Sequence, residues 1–511
     1  MKKIYLYLIS FVIGFTACDS FLTEDPKEFV SPDSFFNTED EVESALLGCY
    51  AHLQHEQIGD FGWLFRGEGG ADVAVMRNIL RYNVYQYYLM ESQPTQVLNS
   101  WRIHYKAVGD ANMVINRTSK SGFSDEFKKQ VIAEASFIRA YVYFQLTLMW
   151  GDLPLWTEEI TGDNLNEISS LSRSSQQDVY NQIIKDLQFA SEILPDTRES
   201  SKEGRITKWA AKALLSKVYL FAQKWENASL LAQEVIKSPY HQLSADYTSI
   251  FDTESAGNSE RLFVIPYLAD VKGQGLHTVA APDLTYEPIT HDYTESAIIR
   301  PDGKEVMSNA DLIQGWGVYY LASEFVESFD SADKRKWGTA WHYSLTTDGD
   351  TIYFKDKKEG TAYYNLKWIS FDDKEFNGSK DIIHMRLAEV YLILAEAENE
   401  LHNGPTTVAY EAINALRRRA FGSNEHDIPA GLSKDAFKRA IIDENRWELG
   451  GEGVRAWYLR HWGFDELKKA VESIAGSNDV APQNLQPHHM FYKIPEEEII
   501  KNPNLIQNNG Y

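Results

Sequence analysis

Cysteine is nearly absent from this 511-residue chain: Cys18 and Cys49 are the only two, so no disulfide framework holds it together. Cys49 sits in the apolar stretch ALLGCYAHL and reads as a buried small hydrophobe. Basic residues are also scarce. Lys and Arg number 50 against 74 Asp and Glu, a formal net charge of −24. That balance excludes nucleic acid as the main partner, because phosphate binding needs a basic surface. No GxSxG, HExxH, P-loop or calcium-loop pattern occurs, so no familiar catalytic or metal motif is present. Beyond the first 17 residues, no segment is long and apolar enough to span a bilayer.

Apolar residues are plentiful, at 43% with 13% aromatic, enough for a sizeable core. The N-terminus has the layout of a secretory signal: Lys2 and Lys3, the apolar run Ile4–Phe15, then Thr16 and Ala17. Cys18 follows directly. That register resembles a bacterial lipobox, in which the signal (1–17) is cut before Cys18 and the thiol is acylated. Cleavage would remove two lysines and no acids, taking the charge from −24 to −26. The chain is therefore expected to be anchored to a membrane, not threaded through it.

The stretch Arg205–Leu243 reads as a helical hairpin. Ala211, Leu215, Val218 and Ala222 share one helical face, and Ala228, Leu231, Ala232, Val235 and Ile236 share another. A short polar connector around Gln223–Asn227 makes the two helices antiparallel neighbours. Its small residues plus Tyr219 and Trp225 resemble a tetratricopeptide unit, which needs companions to bury its second face. Further helices are expected over Thr38–Leu53 (Thr38 as N-cap, Glu41 completing a capping box), Trp101–Asn116, Asp125–Met149 and Gln176–Leu194. More follow at Ile383–Leu401, Thr407–Ala420, Lys434–Leu449 and Phe464–Ile474. Phe61–Tyr88 is glycine- and aromatic-rich and reads as loop. Between about Tyr247 and Ile382 short β-like pieces alternate with Gly/Pro/Asp-rich loops. The fold class is mainly α: tetratricopeptide-like helical hairpins with one loop-rich insertion at 247–382, in a single domain from 18 to 511.

Several of these pieces, in order, are similar to the SusD/RagB-like family of outer-membrane nutrient-binding lipoproteins. They are Cys18, Ser34-Phe35-Phe36, Arg139-Ala140 with Tyr143 leading into Gly151-Asp152-Leu153-Pro154, and the hairpin from Arg205-Ile-Thr207 to Asp246-Tyr247. Asp333-Lys334-Arg335, Met385–Tyr391, Arg417-Arg-Arg-Ala420 and the string from Ile494-Pro495 to Gly510-Tyr511 extend the match to the last residue. Asn445, Tyr458 and Asn509 depart from the family pattern, where an arginine, an aspartate and a proline are usual. These departures put local ion pairing in question, not the family. The resemblance implies about four tetratricopeptide-like hairpins in a superhelical scaffold. It also implies a lid-like role over a SusC-type TonB-dependent transporter, with glycans as the usual ligands and peptides as occasional ones.

Glycan recognition needs flat apolar faces for sugar C–H surfaces and polar groups for hydroxyls. Aromatics in loops are the candidates: Trp63, with Phe61 and Arg66, in the first glycine-rich stretch, and Tyr286, Tyr293, Trp316 and Trp341 in the insertion. Trp316 ranks first because Gly315 and Gly317 leave its ring accessible. Trp101, Trp209, Trp225 and Trp457 keep helical register and are assigned to packing. Glu444 and Glu448, one turn apart, could form an acid/base pair, but arginines crowd them and an ion-pair network accounts for them better. His52 with His55, and His488 with His489, lack a third metal ligand in register. No cofactor or metal is expected. The chain is thus read as a non-enzymatic glycan receptor of the outer membrane, with a peptide receptor on the same fold and a lipid-anchored glycosidase as alternatives.

Overall fold

The computed structural model describes residues 35–76, 83–92, 94–199, 202–252, 257–268, 271, 273, 298–299, 305–306, 317–346, 351–353, 362–369, 377–478 and 480–511. The signal segment, Cys18, Tyr286, Tyr293 and Trp316 lie outside the described residues.

The longer helices are α1 (Glu39–Leu53), α2 (Phe61–Glu68), α3 (Thr95–Lys120), α4 (Asp125–Trp150), α5 (Gln176–Ile193), α6 (Lys208–Phe221) and α7 (Trp225–Ile236). After the insertion come α8 (Leu387–Leu401), α9 (Thr407–Phe421), α10 (Lys434–Leu449), α11 (Arg455–Trp462) and α12 (Phe464–Ser473). Each of α3 to α8 packs on the next, and α1 closes the start of the row against α3 and α4. This is the mainly helical, tetratricopeptide-like array that the hairpin periodicity predicts. The capping box at α1 forms as expected, Thr38 accepting from the Glu41 amide and the Glu41 carboxylate accepting from the Thr38 amide. In the α6–α7 hairpin, Gln223 takes a left-handed φ of 56°, which turns the chain within three residues. The periodicity of α4 predicts a single buried face, yet every residue from Ala133 to Trp150 is buried, because α1, α3 and α5 surround it.

Two elements differ from expectation. Phe61–Glu68 is a helix, capped by the Asp60 side chain (2.7 Å to the Phe61 amide), and not a loop. Its glycines serve close backbone approach: a Cβ on Gly62 would lie 2.4 Å from the Glu56 carbonyl oxygen, and one on Gly67 would collide with the Gly453 carbonyl. Ile382–Arg386 is a strand, so the helix expected from Ile383 begins only at Leu387, as α8. A partner decides that choice, since Ile382–Arg386 pairs antiparallel with Arg261–Ile265 and all five residues are buried.

That pairing also explains how the insertion is mounted. The strands are β1 (Ala74–Met76), β2 (Arg261–Ile265), β3 (Ile298–Ile299), β4 (Glu305–Val306), β5 (Tyr319–Leu321), β6 (Ala340–Trp341), β7 (Tyr343–Thr346), β8 (Thr351–Tyr353), β9 (Tyr364–Asn365) and β10 (Ile382–Arg386). β2 and β10 join the entrance and exit of the excursion, while α7 and α8 pack together although residues 237–386 lie between them. Inside the excursion β6 pairs with β9, β7 with β8 and β3, and β5 with β1 outside it.

A buried charge network locks the excursion to the helices. Arg335 reaches Asp333 (2.7 Å), Glu444 (2.6 Å) and Glu448 (2.8 Å). Arg386 reaches Glu260 (2.8 Å), Glu448 (2.6 Å) and Glu452 (2.7 Å), Arg419 contacts Glu260 and Glu448, Arg417 contacts Glu444, and Lys367 contacts Glu452. Burial by itself would raise the Glu448 pKa, but the guanidiniums of Arg419, Arg386 and Arg335 outweigh it and hold the carboxyl well below its ordinary range.

Candidate functional site

Arg335 is fixed at the start of a short helical turn, Arg335–Thr339, so the two residues that follow it are held at the surface. Trp337 is 48% exposed, with the Lys336 ammonium 5.0 Å from its ring centre. The chain then enters β6, crosses His342 and continues into β7. The His342 ring stacks on Trp337 at 4.6 Å with 25° between planes. Tyr343 lies 4.8 Å from His342, Tyr363 5.4 Å and Tyr353 6.1 Å. Strand register supplies the rest of the arrangement: Tyr343 and Tyr353 are directly opposed in the β7–β8 pair, with ring centres 5.9 Å apart. Tyr353 is 60% exposed.

Five aromatic side chains from three short segments therefore form one surface cluster with His342 at its centre. Burial, and then the nearby Lys336 charge, lower the His342 pKa, so its imidazole is neutral at physiological pH. Burial, then Glu327, raises the Tyr363 pKa, which keeps that phenol a hydroxyl. The cluster thus offers flat rings bordered by phenolic hydroxyls that donate and accept.

The expected ring candidates that the structure describes are elsewhere. Trp63 is only 4% exposed: it lies on α2, donates its indole N–H to the Glu452 carbonyl (3.3 Å) and packs 4.9 Å from the buried His384 ring. Phe61 and Arg66 are buried too, and the Arg66 guanidinium donates to the Gln57 side chain (3.0 Å) and to the Gln57 carbonyl. Trp341 is buried on β6, where its indole N–H donates to the Tyr343 carbonyl (2.7 Å). Trp63, Arg66 and Trp341 are therefore corrected to packing residues. Trp341 still matters to the surface, since it holds Tyr343 in place from beneath. Trp337, His342, Tyr343, Tyr353 and Tyr363 were not singled out from the sequence; the neighbouring Lys336 was the only signal that Trp337 faces water.

The other candidates are also placed. Glu444 and Glu448 are saturated by the buried arginines, as a network reading requires, though their partners come from Arg335, Arg386, Arg417 and Arg419. The sequence neighbours Arg446 (3.1 Å) and Arg455 (2.8 Å) turn instead to Asp72. Asn445 accepts from Arg455 (2.9 Å) and Tyr458 donates to Glu389 (2.8 Å), so both departures from the family pattern keep a partner. His52 binds Asp110 (2.6 Å), while His55 caps a short helix through its ring nitrogen. Among the described residues, Glu91, His488 and His489 bring three metal-capable atoms together. The Gln486 amide donates to His489 Nδ1 (2.9 Å), which leaves Nε2 as the protonated nitrogen facing Glu91. That is a hydrogen-bond donor and not a free ligand.

A family profile described as "Starch-binding associating with outer membrane" matches residues 21–220, and the profile of the SusD family matches residues 343–511. The chain belongs to the SusD family. Together the two matched spans cover most of its length, and the second begins inside the insertion. A SusD-like protein, P25, of Formosa agariphila is 28% identical over 99% of this chain and 98% of its own. Among solved structures, a SusD homolog from Bacteroides thetaiotaomicron superposes with a TM-score of 0.78 at 22% identity, covering 94% of this chain and 98% of its own. A laminarin-binding SusD-like protein superposes at 0.71 and 21% identity, over 92% and 99% of the respective chains. These SusD relatives span the whole helical array, and the fold of this chain is theirs.

Proposed function

We propose that this SusD-family chain is a cell-surface lipoprotein that captures a glycan and delivers it to a partner TonB-dependent transporter of the SusC type. The observation that carries the capture step is the exposed ring cluster Trp337–His342–Tyr343–Tyr353–Tyr363 on the insertion. Each ring stacked on a sugar face contributes about 0.5–1.5 kcal/mol, by analogy with aromatic pairs. A few of them give binding in the micromolar to millimolar range, roughly −4 to −8 kcal/mol. The laminarin-binding neighbour supports a glycan as the ligand class. Tyr286, Tyr293 and Trp316, in the same insertion, are proposed as further contacts.

Delivery requires a partner, since no helix among the described residues is long and apolar enough to cross a membrane. No catalytic step is assigned to the carboxylate pair Glu444 and Glu448, because both are buried under guanidiniums. Calorimetry against oligosaccharides tests capture. Trp337→Ala and Tyr353→Ala should each weaken binding by roughly tenfold, about 1.4 kcal/mol, with little change in melting temperature. Trp63→Ala should instead lower the melting temperature, as loss of a core indole costs about 3–5 kcal/mol. Unchanged affinity in both surface variants would refute the ring cluster as the site.

A further inference from the structure

A cavity of about 900 Å³ opens where the C-terminal tail crosses the end of α4, and its walls come from residues 150–152, 172–176, 487–491 and 504–510. Its size suits a small-molecule or oligosaccharide site. Its walls are fixed before any ligand arrives. Arg173 donates to the carbonyls of Asp152 (2.8 Å), Ile506 (2.8 Å) and Trp150 (3.3 Å) and to the Asn508 side chain (2.6 Å). Asn508 in turn donates to the Trp150 and Tyr492 carbonyls.

Besides the Ser172 hydroxyl and the Asn509 amide, the lining leaves three oxygen acceptors open. Gln176 donates its amide nitrogen to the Thr147 carbonyl (3.2 Å), and Asn504 donates its own to the Ser170 carbonyl (2.6 Å). A carbonyl can only accept, so both side chains are oriented with their oxygens away from those bonds. Asp152 uses one oxygen to accept from the Gln176 backbone amide (2.8 Å) and keeps the other. Among the described residues these three oxygens have no partner within the chain. The half-buried Phe491 ring, packed on Gly151, supplies an apolar wall beside them. The ligand that completes such a site brings several hydroxyl donors and a C–H face, and carries no anionic group toward Asp152.

We infer that this cavity is a second binding site for a neutral oligosaccharide, built independently of the ring cluster on the insertion. The test is calorimetry of the detergent-solubilised full chain with maltohexaose, laminarihexaose and mannohexaose, first in a background carrying Trp337→Ala and Tyr353→Ala. At least one hexaose should still bind that background, and Gln176→Ala with Asn504→Ala should weaken this residual binding at least tenfold. Ser172→Trp fills the cavity from an exposed position without removing a hydrogen bond, and should have the same effect even if the double variant folds poorly. The inference is overturned if no hexaose binds the background, or if a folded double variant and Ser172→Trp both leave residual binding unchanged. Full binding in the background together with its loss in the cavity variants would uphold this site and refute the ring cluster.

Discussion

Glu68 is buried at the end of α2 with one carboxyl oxygen accepting from the Gly453 amide (2.7 Å) and the other without a hydrogen-bond partner. Burial, only partly offset by that amide and by Lys367, pushes its pKa up to about 8. An acid whose folded pKa exceeds its unfolded value of about 4.5 keeps its proton longer in the native state, so its contribution to stability falls as pH rises from about 4.5 to about 8. Glu68→Gln removes the ionisation and retains the shape. It should be nearly neutral at pH 4.5 and stabilising above pH 8, by up to about 5 kcal/mol. Melting temperatures of the two proteins measured across that range check this; a difference that does not change with pH would refute it. At this scale the sequence was a poor guide to exposure. Trp63 and Trp337 both stand beside glycines, and only tertiary contact decides that one fills the core and the other faces solvent.

At the scale of elements, helical periodicity located the long helices, although the one expected over Trp101–Asn116 runs from Thr95 to Lys120. Lys434–Leu449 forms as expected, and Asp125–Trp150 and Gln176–Ile193 each differ by one residue at one end. The misses share a cause. Glycine in Phe61–Glu68 signalled loop but permits close packing, and Ile382–Arg386 becomes a strand because β2 lies ready to pair with it. Gly453, which packs on Gly67, and β2, which pairs with β10, are both distant in sequence. The charge network is likewise assembled from distant residues, and it makes α10 the seat of the insertion. Glu448→Gln leaves Arg335, Arg386 and Arg419 short of an anion, and should cost about 3–5 kcal/mol. The exposed pair Arg439–Asp443 (2.6 Å) is a control, where Asp443→Asn should cost at most about 0.5 kcal/mol. Because the folded pKa of Glu448 is depressed, its stabilisation is present above the unfolded value and is lost as pH falls through the folded one. Denaturant midpoints of the three proteins at neutral and acidic pH measure both effects, and equal costs for the two variants would contradict the network's role.

At the scale of the whole molecule, the proposed anchor and partner lie beyond the described residues and rest on the N-terminal register and the family. One acyl chain holds a protein only marginally at about 0.8 kcal/mol per buried CH₂, so several on Cys18 would be needed for a stable anchor. The native chain, extracted from outer membranes in mild detergent, should bring a β-barrel transporter with it. Cys18→Ala should lose its lipid and either appear in the soluble fraction or remain unprocessed. A variant that still fractionates as a lipid-modified membrane protein would contradict the anchor, and a native chain recovered alone would contradict the partnership.

The mounting of the insertion also sets an order of assembly. Helices α3 to α7 touch their sequence neighbours and can dock as soon as they emerge, whereas the α7–α8 contact must close over the 150 residues from 237 to 386. Relative to a hairpin turn of about four residues, that closure costs roughly 3 kcal/mol more in chain entropy. Until α8 arrives, the side of α7 that it covers, where Ser229 meets Glu398, stays open to water. The half-made array is thus a sticky intermediate with one unfinished edge, and the interval before its last helices join is when this chain is most exposed to aggregation and to proteases.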